Sequence, residues 1–445
     1  MLLFIENKII GNIFEFSNVM KKLFLFLLII INNNIFAQLV PDSNYSLSIK
    51  SVKLFQQNNQ TSLPIINLNS SDLIELHFDD LDGYIKSYYY TYVLCNADWT
   101  ESALNPFDYI KGFTQNRIVQ SRPASVTLSK YVHYQATLPE KNCIPSKSGN
   151  YLLKIFLNGD ADNVVFTKRM YVVNSQAAIA MQVRQPFDNN YYSTHQKIQF
   201  SVNTSALPNL FNPSENIKIT LLQNQRWDNA LTKLKPAFIR ENVLEYDGER
   251  ECLFEAGKEY RWVDLRSFRF ESDRILRKDE TKTPIDIYVK LDATRVAERY
   301  LFWKDLNGWY DVTTTDLVNN WWQTGYANVH FTYKPENNQP YAGQEIYLMG
   351  EFTGNKNTNE SKMEYNAEKG VYEKTLLLKQ AYYFYNYVTK NVQQKNAIAT
   401  TALTEGNNWE TENTYTLFVY YRSFSGRYDE LVGVTTANSR LGKLF

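Results

Sequence analysis

Glycine and proline are scarce in this chain, 17 and 13 of 445 residues, both below average usage. That scarcity excludes collagen-like and low-complexity sequences, which those residues dominate. Net charge is missing too: 47 Lys and Arg face 47 Asp and Glu, and without residues 1–37 the chain is one charge negative. Nothing here is built for nucleic acid or an anionic membrane surface. Cysteine is limited to Cys95, Cys143 and Cys252, with no pair close enough for a Cys-x-x-Cys metal or redox motif. Cys95 and Cys143 share an expected domain and could bridge. The plainer reading makes Cys95 a small hydrophobe in a strand-like run and Cys143 a loop-exposed residue, and both readings stay open.

Motifs of catalysis are missing as well. There is no phosphate-binding loop, dinucleotide glycine fingerprint, His-Glu-x-x-His or Gly-x-Ser-x-Gly elbow. The four histidines, His77, His133, His195 and His330, fall in four separate strand-like segments, so no local metal cluster forms. Each reads as a surface or hydrogen-bonded structural residue, with His133 in "YVHY" the one expected to be buried and to need a ring partner. Acid pairs such as Asp79-Asp80 and Glu410-Glu412 read as solvated charge in loops or at strand ends. Glycosidase work would need two carboxyls about 5 to 9.5 Å apart, which sequence cannot arrange. The chain is therefore expected to be no enzyme, with no cofactor, no metal and no small-molecule substrate.

What is plentiful is aromatic: 32 Tyr and 26 Phe. Rings and branched side chains fit a pleated, half-buried surface, and long amphipathic helices are missing throughout. Ile74, Leu76 and Phe78 alternate with polar neighbours, and "KIQFSV", "IKITLL", "YANVHFTY", "YEKTLLLK" and "YTLFVYYR" repeat the period of two. The expected fold is all-β, a tandem of immunoglobulin-like β-sandwich domains. Its divisions are residues 38–175 for an N-terminal sandwich, 176–335 for a middle β-rich domain and 336–445 for a C-terminal immunoglobulin-like sandwich. The linker-like "KPENNQP" (334–340) sits at the second boundary.

The N-terminus carries an address. From Met20, "MKKLFLFLLIIINNNIFAQ" has two lysines, an apolar run from Leu23 to Ile31 and Ala37 before Gln38, the pattern of an export signal over residues 1–37. The run is too short to span a bilayer, and Met20 is a natural start. Nothing later reaches spanning length, so no direct membrane insertion is expected.

One stretch breaks the alternation. "QNQRWDNA" (223–230) follows "IKITLL" (217–222), and "KEYRWVDLRSFRF" (258–270) repeats its combination of Arg, Trp and Asp. Buried polar atoms must be satisfied, and an Arg-carboxylate pair capped by an indole does this. Arg226, Trp227, Asp228, Arg261, Trp262 and Asp264 are therefore expected to form a structural polar joint across neighbouring strands, with Trp227 and Trp262 stacking on a ligand as the other possibility.

Taken in order, "YYYTYVLCNADWTES" (88–102), "YIKGF" (109–113), "SKYVHYQATLP" (129–139), "SGNYLLKIF" (148–156), "QNQRWDNA", "LEYDGERECLFEAGKEYRWVDLRS" (244–267), "YLMGEFTG" (347–354), "YEKTLLLKQAYYFYNYV" (372–388) and "EGNNWETENTYTLFVYYR" (405–422) resemble the plug protein family of the type IX secretion system of Bacteroidota. The resemblance covers essentially the whole mature chain. It departs at Ala381, where glycine is expected, and in the loop "SRPAS" (121–125). It implies a non-enzymatic periplasmic protein, peripherally associated with the outer membrane, that binds the periplasmic mouth of the giant outer-membrane β-barrel translocon. There it seals the pore until cargo or a shuttle barrel engages. No residues carry over as sealing contacts.

The C-terminal block supplies the alternative. "YLMGEFTGN", "YEKTLLL" and the Tyr-rich strand also resemble the early-set, glycogen-binding-type sandwiches attached to glycogen-active enzymes, which implies an exported carbohydrate-binding protein of a glycan-uptake or envelope complex. "GEFTGN" lacks the Trp that commonly follows, and Tyr383, Tyr385 and Tyr387 fit a sheet face, so shared fold is preferred to shared ligand. Cargo of the secretion system is disfavoured, since little follows "YYRSFSGRYDELVG" (420–433).

Overall fold

In the computed structural model, residues 39–440 are described, save Asn209 and Asn396. The expected export signal lies outside them. The fold is all-β: strands stack as tandem sandwiches, with two four-residue helical turns at Pro106–Tyr109 and Pro213–Asn216. Among the described residues no helix is long and apolar enough to cross a membrane.

The first sandwich packs a four-stranded sheet, in the order Ile49–Gln56, Ile74–Asp80, Val132–Leu138 and Gln120–Pro123, against a five-stranded one. The second sheet is built on Tyr88–Cys95, Gly149–Leu157 and Val164–Val173. Alternation sends Ile74, Leu76 and Phe78 inward to meet Tyr88, Tyr90, Tyr92 and Tyr151. The opposite face of the first sheet is covered as well: Phe55, His77, Asp79 and His133 are buried. Asp79 and Asp80 are thus not solvated charges at a strand end: later segments close over Asp79, and Asp80, on the inner face, accepts from Tyr88 Oη at 2.8 Å and pairs with Lys86. Cys143, expected in an exposed loop, is buried in strand Cys143–Pro145, and Cys95, Cys143 and Cys252 are all free thiols.

The second and third sandwiches are nested. Strand Ile217–Gln223 pairs along its full length with Thr414–Tyr421, which pairs with Glu430–Asn438. This sheet packs on one built from Ala178–Arg184, His195–Asn203, Phe238–Arg240, Val243–Tyr246 and Leu253–Glu255, with Ile198, Phe200, Val202, Leu417 and Val419 in one core. Between these segments in sequence lies the third sandwich. Tyr382–Asn391 pairs with Arg261–Asp264, Tyr310–Asp311 and Gln344–Met349, while Tyr326–Lys334 pairs with Val371–Lys379 in a six-stranded sheet. The expected division at 335/336 runs through both cores. A period of two identifies a strand and its inward face but says nothing of its partner, and here the partner lies up to 204 positions away, as for Ile217 and Tyr421.

Candidate functional site

Strand Ile217–Gln223 ends because Asn224 and Gln225 adopt φ of 49° and 50°, left-handed values that turn the chain at once. Asn224 fixes that turn through both ends of its amide, donating to Asn413 Oδ1 at 2.7 Å and accepting from Thr414 N at 2.9 Å. The turn delivers Arg226 to Asp228 in a two-pronged pair of 3.0 and 2.7 Å, with a further bond of 3.1 Å from Nη2 to Ala399 O. Trp227 crosses Trp99 edge-on at 5.3 Å, and the Arg169 guanidinium lies over both indoles, at 4.4 Å and 4.9 Å. Trp99 and Arg169 belong to the first sandwich. The polar stretch therefore sits where the first sandwich meets the second.

Arg261 does not join it. Its guanidinium holds Glu405 through Nε and Nη2, Asp292 through Nη1 at 2.8 Å and Ala293 O at 2.6 Å. Arg295 Nε adds a 2.6 Å bond to Glu405, and the hydroxyls of Tyr385 and Tyr387 donate to Asp292. Burial works against the Glu405 carboxylate, but Arg261 and Arg295 outweigh it and hold its pKa at about 2. Asp264 pairs instead with Arg266, at 2.9 and 2.6 Å, and Trp262 meets Trp303 edge-on at 5.8 Å. The six residues thus occupy separate clusters, one at Trp227 and others around Arg261 and Asp264. Sequence reasoning missed Glu405, Asp292 and Arg295. Glu405 stands first in "EGNNWETEN", but only a contact over 144 positions marks it as the partner of Arg261.

Other buried charges fasten the first sandwich to the rest. Lys53 Nζ donates to Glu351 at 2.7 Å and Tyr310 O at 2.6 Å. Asp429, held by Arg422 at 2.7 Å and Lys218, accepts from Ala97 N at 2.9 Å. Asp79 accepts from His133 Nδ1 at 2.7 Å, from Tyr326 Oη at 2.6 Å and from Lys379 Nζ. His133, expected to be buried and to need a ring partner, has two, because its Nε2 lies 3.1 Å from His77 Nδ1. Glu410 is exposed and Glu412 half-buried.

Three of the strongly exposed aromatics belong to linked connections. Phe107, Phe211 and Phe424 are 78%, 82% and 94% exposed, on three different connections. Phe211 and Phe424 flank an open cavity of about 440 Å³ with Pro208, Tyr421, Gln176 and Glu430 in its walls. Arg427, three residues after Phe424, reaches Asp108, next to Phe107, at 3.3 Å. Protruding rings with a polar rim are the composition of a protein-docking patch. Tyr383, Tyr385 and Tyr387, by contrast, are wholly inside the third sandwich, so none offers a ring face to a sugar. Among the described residues no group of three or more His, Cys, Asp or Glu is placed to hold a metal.

Comparison with known proteins follows the same lines. The family model described as "Type 9 secretion system plug protein 1st domain" matches residues 49–174, the first sandwich. The crystal structure of a hypothetical protein from Parabacteroides merdae superposes with a TM-score of 0.85 at 31% identity, covering 90% of this chain and 99% of that one. The E. coli alpha-2-macroglobulin aligns with a TM-score of only 0.17 at 9% identity, over 90% of this chain and 23% of that one, and carries no argument. No curated protein matches.

Proposed function

The chain belongs to the type IX secretion system plug protein family, and from that premise we propose that it is the periplasmic stopper of the system's outer-membrane channel. It has a role in type IX secretion. The finer reading is that it docks on the periplasmic mouth of the giant β-barrel translocon, seals the pore and leaves when cargo or the shuttle barrel engages. This is binding without chemistry, with no cofactor and no small-molecule substrate.

The observation that carries this reading is the match over the first sandwich together with the way that sandwich is fastened. Lys53, Asp79 and Asp429 each make buried polar contacts between it and later parts of the chain. A stopper must keep its shape under the load it blocks, and buried, fully hydrogen-bonded charges resist separation because opening one strands an uncompensated ion. The surface bearing Phe107, Phe211 and Phe424 is the one we assign to docking. Aromatic anchors with a polar rim suit a contact that forms and releases.

The test is capture of detergent-solubilised outer membranes on tagged protein beginning at Gln38. We expect a very large barrel protein to be retained when the shuttle barrel is missing and lost when it is present. Phe107→Ser, Phe211→Ser and Phe424→Ser combined should weaken retention while leaving the unfolding midpoint unchanged. Retention of polysaccharide or a glycan-uptake complex without the giant barrel would replace this reading with the carbohydrate-binding one.

A further inference from the structure

The segment around Trp321 and Trp322 lies as a strap over the outer face of the first sheet, and what it covers is a pair of histidines. Trp321 stacks on His77 at 3.8 Å and 9°, and His77 in turn stacks on Phe55. Trp322 receives the Arg122 guanidinium at 5.0 Å. The strap's backbone is held by Tyr131 Oη, whose single hydrogen is shared between Thr324 O at 2.7 Å and Trp321 O at 3.0 Å, and by Lys379 Nζ, which donates to Trp321 O at 2.5 Å. Ser125 N donates to Trp322 O at 2.9 Å, and Ser129 Oγ accepts from Tyr326 N at 2.9 Å.

The proton positions beneath the strap follow from the partners. The ionised Asp79 carboxylate only accepts, so His133 Nδ1 carries a hydrogen. His133 Nε2 is then a bare acceptor, and His77 Nδ1 donates to it across 3.1 Å. His77 Nε2 is left facing Glu75 Oε2 at 3.5 Å. One further proton therefore has a place, on His77 Nε2, where it completes a chain from Asp79 to Glu75. A second has none. On His133 Nε2 it would set two N–H donors against each other.

Charge points the same way on every element around the pair. Lys53 is the cross-strand neighbour of His77, and Arg122 that of His133. Lys379 reaches in from Val371–Lys379 to share the Asp79 carboxylate with His133. On the other side stand Asp79, Glu75 and Glu351, with Glu351 already paired to Lys53. Tyr131 and Tyr326 present only hydroxyls. Three cations and three carboxylates balance while both rings are neutral, and two added protons leave an excess of positive charge in a buried site.

We propose that the His77–His133 pair is a proton-operated latch for the Trp321–Trp322 strap: the neutral pair holds the strap on the first sandwich, and protonation of both rings lifts it. Burial pushes both imidazoles below the ordinary histidine value of 6.5, and His133 down to about 4. The folded pair therefore resists protons that the open segment accepts. A depressed histidine contributes stability at neutral pH and loses it as pH falls from 6.5 toward about 4. The first proton, on His77, is tolerated through Glu75, and release comes with the second. The latch is internal to the chain and stands whatever docks outside it.

Hydrogen exchange of the full mature protein, read by mass spectrometry at pH about 7.5 and about 4.5 and corrected for intrinsic rate, tests it. Peptides containing Ser125 and Tyr326 should exchange on the order of tenfold faster in acid, while Gly149–Leu157 and Val164–Val173 keep their protection. Equal protection at both pH values, or a loss shared by those core strands, overturns the latch. In His77→Gln combined with His133→Gln the acid response of the two peptides should disappear, and its persistence also overturns the proposal. Should that variant not fold, NMR titration of the wild-type rings decides: a His133 ring titrating near the ordinary 6.5 refutes the latch, and one titrating well below it supports the latch.

Discussion

Glu405 sits wholly buried between two guanidinium groups, with a third partner in Tyr387 N at 3.0 Å. Its value lies near 2 in the fold against 4.5 for the free side chain. A depressed carboxylate contributes stability that is present above the unfolded value and lost as pH falls through the folded one. The unfolding free energy should therefore drop as pH is taken from about 5 to about 2. Glu405→Gln should lower stability at neutral pH, by about 3 to 5 kcal/mol, because it leaves the buried Arg295 without a carboxylate and Arg261 with Asp292 alone. It should also flatten the acid limb of a urea-melt series across pH. A variant with the wild-type slope would show that Glu405 is not the group responsible. At this scale the sequence was legible in kind but not in partner. Arg261 announced a buried guanidinium, while its acids stood 31 and 144 positions away, beyond anything that spacing reports.

At the scale of elements, the turn 224–230 is a joint between sandwiches. Trp227→Ala should cost about 3 kcal/mol, since the half-buried ring leaves a cavity between Trp99 and Phe418 and uncovers Arg169. Urea denaturation measures this, and an unchanged midpoint with a lost binding activity would reassign Trp227 to a ligand site. The strands themselves were readable: "IKITLL" and "YTLFVYYR" have the composition of strands, and each is one, buried on both faces. That they lie side by side was not readable, because that composition fits any neighbour equally well. The same ambiguity hid the strap. His77 and Asp79 occupy the face that alternation assigns to solvent, and Trp321, 244 positions after His77, with Tyr326 and Lys379 over Asp79, makes it an interior.

Across the whole molecule, the nested topology forbids a cut at 335/336. A fragment of residues 41–335 lacks Thr414–Tyr421 and Glu430–Asn438, leaving Ile217–Gln223 without its sheet and half of the second core open. It also lacks Lys379 and Glu351, so Asp79 loses its lysine and Lys53 its carboxylate. We expect this fragment to lack cooperative unfolding in its second sandwich by calorimetry, while residues 41–440 melt with all three cores intact beforehand. A fragment with a full-sized second transition would contradict the account.

The long reach from Ile217–Gln223 to Thr414–Tyr421 also sets an order on the protein's birth. A chain emerging N-terminus first can complete the sandwich of residues 49–173 early, because every strand in it is already out. The second sandwich must wait, with one sheet formed and its apolar face bare, while the third is threaded between its halves. Such a half-built layer is the state most exposed to wrong pairing. The nascent chain therefore carries a defined apolar surface, Ile219, Leu221 and Leu244, that stays uncovered until the last strands arrive.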